Sequence, residues 1–195
     1  MRIPKNWDNA QAYDGSFERM TAGGHICRIM SARVDEVSGS EMLVLALEIA
    51  EGSNFDGFYA RDHKRKKEAD PNAKWGCVHR QFVLTRDGDC SPFFKGLIKC
   101  IEESNSGYRW AWQEETLKGK LVGVIFREEE FIKSDGEVST AVKPAFIRSV
   151  ARIREGVEVP EIKRLTNKPT GAAVGQGGAA AVNGFTQVDD DELPF

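Results

Sequence analysis

From Met42 to Ala50 the chain places Leu43, Leu45, Leu47 and Ile49 at every second position. That period-two pattern predicts a strand with one face in a core. A strand from about His25 to Val34 is predicted before it, with Asp35-Glu36-Val37-Ser38-Gly39-Ser40 as the hairpin turn between the two. Glu51 to Lys74 has neither period and reads as a long polar loop, followed by a third strand over roughly Trp75 to Thr85. Ser91-Pro92 then supplies an N-cap and a proline at the first helical position. Phe94, Leu97, Ile98 and Ile101 recur at i, i+3, i+4 and i+7, one apolar face of a helix that Ser104-Asn105-Ser106-Gly107 ends. Two further strands are predicted over about Lys120–Phe131 and Ala145–Arg154, with a turn at Ser134-Asp135-Gly136.

Three strands, a helix and two strands is the connectivity of the OB-fold, a five-stranded Greek-key barrel with its helix between strands three and four. A mainly β chain of that architecture is the expected fold, the alternative being another small α+β domain with the same element order. Residues 1–22, with Trp7, Tyr13 and Phe17 among polar neighbours, read as an arm against a body of residues 23–165. Pro169 to Val188 carries no charge and no apolar period. Residues 166–188 are therefore expected to be a flexible Gly/Ala-rich linker, and residues 189–195 a separate acidic tip.

The formal net charge is −3 from 27 bases and 30 acids, but four of the acids lie in the last seven residues, so the body is close to neutral. A near-neutral body is a weak electrostatic footprint for nucleic acid unless its bases cluster. They do: Arg61-Asp62-His63-Lys64-Arg65-Lys66-Lys67 holds five bases in seven residues. No apolar run has membrane-spanning length and the first residues lack the signal-peptide pattern, so a soluble, cytoplasmic protein is expected. Cys27, Cys77, Cys90 and Cys100 are scattered without metal-ligand spacing and read as reduced thiols.

A barrel that binds single strands needs a basic groove for phosphates and aromatic faces for bases. For the phosphates the candidates are Arg61, Lys64, Arg65, Lys66 and Lys67 of the polar loop, Lys74 and Arg80 around the third strand, and Arg148 and Arg152 of the last. Arg148, Arg152 and Arg154 are evenly spaced and would share one strand face opposite Ile147 and Ile153, with Lys143 at the strand's entrance. The aromatic candidates are Phe58 and Tyr59 in the loop, Trp75 near His79, and Trp110 and Trp112 beside Tyr108 and Arg109. Core packing is the competing reading for the tryptophans, and a solvated loop for the basic run.

Catalysis has little support. Glu128-Glu129-Glu130 cannot all face one point from a strand, and the pair Asp87 and Asp89 lacks partners for a metal nuclease. Gly171 to Gly178 lacks the Lys-Ser/Thr ending of a phosphate-binding loop. No enzyme activity, cofactor or metal is expected.

The remaining feature is Asp189-Asp190-Asp191-Glu192-Leu193-Pro194-Phe195. Its acids attract a basic surface and its apolar end offers an anchor for a pocket, whereas a solubilising tail has no use for the anchor. A folded body, a Gly-rich linker and this tip together resemble the bacterial single-stranded DNA-binding protein family. Here both Glu192 and Leu193 separate the aspartates from Pro-Phe, where that family has a single residue. The body segments Phe93-Phe94-Lys95-Gly96, Glu103-Ser104-Asn105, Leu117-Lys118-Gly119-Lys120 and Val124-Ile125-Phe126-Arg127-Glu128-Glu129 are similar to single-stranded DNA-binding-like proteins of tailed phages and prophages. The resemblance implies an OB body that coats single-stranded DNA with little sequence preference. It also implies a tip that docks replication, recombination and repair proteins. A protein-interaction adaptor and a strand-annealing recombination accessory are the alternatives, and homo-oligomerisation is left open.

Overall fold

The computed structural model describes residues 2–3, 19–50, 54–133 and 135–166. Most of the expected N-terminal arm, nearly all of the linker and the whole of the tip Asp189–Phe195 lie outside the described residues. The described chain is mainly β, built on one five-stranded antiparallel sheet in the order β3-β2-β1-β4-β5.

β1 (Gly23–Val37) and β2 (Ser40–Ile49) form a hairpin in which Val37 pairs with Ser40 across a two-residue turn. Ser38 and Gly39 both have positive φ, at 53° and 76°, the tight turn whose twist matches that of its flanking strands. β1 is long enough to serve two neighbours: residues 27–37 pair with β2 and residues 23–28 with β4 (Leu121–Ile132). A bulge between Ile29 and Ser31 bends it at the changeover. Leu43, Leu45, Leu47 and Ile49 enter the core as their alternation predicts, yet Met42, Val44, Ala46 and Glu48 on the other face are buried too.

The segment expected to be a polar loop contains a helix, α1 (Phe58–Ala69). Only Tyr59 of it is buried, so no apolar stripe marks it in sequence. Strong helix formers and the pairs of Asp62 with Arg65 and Lys66, at 2.6 and 2.7 Å, sustain it instead. Its N-terminus is capped from elsewhere. Glu48, buried at 7% exposure, accepts from Tyr59 N at 2.9 Å and Ala60 N at 2.6 Å, and from its own neighbour Ile49 N at 2.8 Å.

β3 (Val78–Phe82) is shorter than expected and begins after Trp75. α2 (Pro92–Ser104) matches expectation: Ser91 Oγ accepts from Phe94 N, and Phe94, Leu97 and Ile101 are buried. The Asn105 side chain bonds Ile101 O and both backbone groups of Leu121, fastening the helix end to β4. The core lies between α2 and the curved sheet, with Cys27, Ile29, Leu45, Leu117, Val122 and Phe126 at its centre.

β5 (Val138–Arg148) starts earlier than expected and ends at Arg148, where Ser149 caps a short helix, α3 (Val150–Arg154). Arg152 and Arg154 therefore do not share a strand face with Arg148. Pro144 sits in β5, as an edge strand allows. β3 and β5 are the two edges and do not pair with each other, so the sheet is not closed. No helix among the described residues is long and apolar enough to cross a membrane.

Candidate nucleic-acid interface

α1 splits the basic run between two faces. Phe58, Tyr59, Asp62, Arg65 and Lys66, spaced as one side of a helix, line a groove of about 780 Å³ against Ser139–Lys143 of the β5 edge. Arg61, Lys64 and Lys67 fall outside that lining, and Arg61 Nη1 bonds Asp56 O. The groove holds four bases, Arg19, Arg65, Lys66 and Lys143, against two acids, Asp62 and Glu128. Burial works to raise the Asp62 carboxyl, but bonds from Lys66 and Arg65 outweigh it and hold the group below its usual range, so it stays charged. Phe58 is partly buried and meets Tyr59 edge-on at 5.1 Å. Tyr59 is buried and stacks on Phe126, so it supports the groove from beneath.

The groove continues onto the face of β4 and β5. Cross-strand partners project from the same side of a sheet, and the register pairs Arg127 with Lys143, Ile125 with Phe146 and Gly123 with Arg148. Phe146 is 42% exposed, with the Arg148 guanidinium 5.6 Å and that of Arg127 5.9 Å from its ring centre. Arg127 Nη2 bonds Glu129 at 2.6 Å, while its buried Nε has no acceptor among the described residues. Lys143 belongs to both the groove and this stripe, which makes them one continuous surface. Sequence reasoning missed Phe146 and Arg127. Phe146-Ile147-Arg148 alternates visibly, but Arg127 joins them only through the register.

The other expected residues lie elsewhere. Trp75 is half-buried, donates to Leu47 O at 2.8 Å and packs on His63 at 5.3 Å, so its ring and N–H serve the fold. Lys74 is half-buried beside it. Arg80 projects from the outer face of β3, in register with Val44 and Arg33. Burial pushes the neighbouring His79 down to about 4. Arg152, on α3, pairs with Glu155 at 2.9 Å. Trp110 and Trp112 pack against each other, tilted, in a different groove, which shares no lining residue with the first.

The four cysteines are free. Burial raises the Cys27 thiol and pushes Cys77 up to about 12, so both are inert at neutral pH. Among the described residues no three His, Cys, Asp or Glu side chains group as a metal site. No protein-family model matches the chain, and no curated protein matches it either.

Proposed function

We propose that this protein binds single-stranded DNA along the surface formed by α1, the β5 edge and the outer face of β4–β5. The observation that carries the reading is an exposed Phe146 flanked by two guanidinium groups and continuous, through Lys143, with a basic groove. An aromatic face among cations suits stacking of a base while phosphates run along the flanking charges. The strand order, with α2 between β3 and β4, supports an OB-fold whose final seam, β3 to β5, is left open. In this reading α1 flanks the open edge, and Gly76, just before β3, also lines the groove it forms.

Arg65, Lys66, Arg127, Lys143 and Arg148 contact phosphates and Phe146 stacks, with no directional readout of base edges and hence little sequence preference. The tip Asp189–Phe195 recruits replication, recombination or repair proteins, in keeping with the resemblance of the chain's end. Deleting Pro194 and Phe195 should abolish partner pull-down while leaving DNA affinity intact or raised. Photocrosslinking to oligo-dT carrying 4-thiothymidine tests the surface. Adducts are expected within residues 139–148 and 58–66, and adducts confined to other segments, or none, would reject it.

A further inference from the structure

The segment between α2 and β4 makes a second groove, of about 310 Å³, at the far end of the β1–β2 hairpin. Three aromatic rings wall it. Trp110 and Trp112 lie 4.8 Å apart and inclined by 39°, and Phe94 stands 5.7 Å from the first and 6.5 Å from the second. Val34, Leu43 and Val83 add an aliphatic wall.

Trp110 is fixed on both sides: its backbone N–H donates to Glu102 Oε1 at 2.9 Å and its indole N–H donates to Gln113 O at 3.1 Å. Trp112 is 73% exposed and sits at φ 61°. An exposed large side chain in a left-handed conformation gains nothing for the core.

The groove's charge is of one sign. Glu41 and Glu114 line it, and no base does. Glu36 is directly opposite Glu41 in the hairpin, on the face that also carries Val34 and Leu43. Two like charges in register oppose each other, and among the described residues no cation pairs with Glu36, Glu41 or Glu114. Aromatic faces attract a cation through their quadrupole, and arginine above all stacks on them. Carboxylates at the rim strengthen that preference and repel phosphate.

We infer that this groove is a docking site for an arginine-bearing, otherwise apolar segment of a partner protein, with the guanidinium stacked on the exposed Trp112 ring and paired with Glu41 or Glu114. Charge complementarity selects this occupant over nucleic acid. The inference is independent of the DNA surface, which lies on other elements.

The test uses the full chain and two fluorescent peptides, one with a single arginine between leucines and one with citrulline in its place, which keeps the shape and removes the charge. The arginine peptide is expected to bind about tenfold more tightly than the citrulline peptide, and Trp112→Ala to cost about tenfold, the effect of one partly desolvated cation–π contact. The double variant Glu41→Gln/Glu114→Gln, which preserves volume, should narrow the discrimination between the peptides to what the cation–π contact alone supplies. Affinity for oligo-dT should be unchanged in every variant. Equal binding of the two peptides, binding of neither, or loss of DNA affinity in Trp112→Ala would overturn the assignment, the last by handing the groove to nucleic acid.

Discussion

Glu48→Gln should loosen the basic helix before it loosens anything else. Glu48 is buried, and its carboxylate accepts three backbone N–H groups, two of them at the start of α1. Glutamine retains one acceptor oxygen but turns an NH₂ toward a donor, and it deletes the negative charge facing the helix N-terminus. A hydrogen bond to a charged group contributes about 1.5–3 kcal/mol, and a buried donor left without a partner costs about 1–3 kcal/mol. The charge–dipole contact adds about 1 kcal/mol. Ala60 is exposed, so water can relieve part of the loss, and the net cost is about 2–4 kcal/mol. Urea denaturation followed by far-UV circular dichroism would read that number. Hydrogen exchange would place it, with residues 58–69 losing protection first. A stability within about 0.5 kcal/mol of the parent, the range of ordinary surface substitutions, would refute the capping argument.

Phe146→Ala should weaken oligo-dT binding by about tenfold, since stacking contributes about 1–3 kcal/mol per base, while changing the melting temperature little; fluorescence anisotropy and a thermal scan separate the two. Gly123→Ala should destabilise by about 1–3 kcal/mol in urea, because a Cβ there would come within 2.7 Å of Ser149 O and collide with Ile153, displacing α3 from β4. The His79 imidazole, pushed down to about 4 by burial, gives a pH dependence. Below its ordinary value of 6.5 the unfolded chain takes up a proton that the folded chain refuses. Stability is therefore full above about pH 6.5 and falls as the pH drops toward 4, by about 3 kcal/mol. His79→Gln should remove that portion, leaving the smaller contribution of His25, which burial also lowers.

The elements that were legible in sequence are those whose pattern is local. Leu43 to Ile49 alternate along one strand, and Ser91-Pro92 with Phe94, Leu97 and Ile101 encode cap and face together. α1 was illegible because its cap, Glu48, comes from β2 and its apolar contact is a single tyrosine. The even spacing of Arg148, Arg152 and Arg154 suggested one strand face, but Ser149 starts a helix between the first two. The candidate surface was half visible: Arg65, Lys66 and Arg148 could be read from the chain, whereas Arg127 reaches Phe146 only across the register. Trp110 and Trp112 meet through a left-handed backbone at Trp112 that no local sequence pattern marks.

Titration of labelled oligo-dT with the full chain across a salt series tests the DNA-binding proposal most directly. Five phosphate contacts, from Arg65, Lys66, Arg127, Lys143 and Arg148, set a log–log salt slope no steeper than about −3.5 for single strands, and sharing of Arg65, Lys66 and Arg127 with nearby acids brings it toward about −2. Binding at low salt with a slope in that range is expected, with loss of at least about tenfold affinity in Lys143→Glu/Arg148→Glu. Absence of binding at low salt, or binding that this charge reversal leaves untouched, would contradict it.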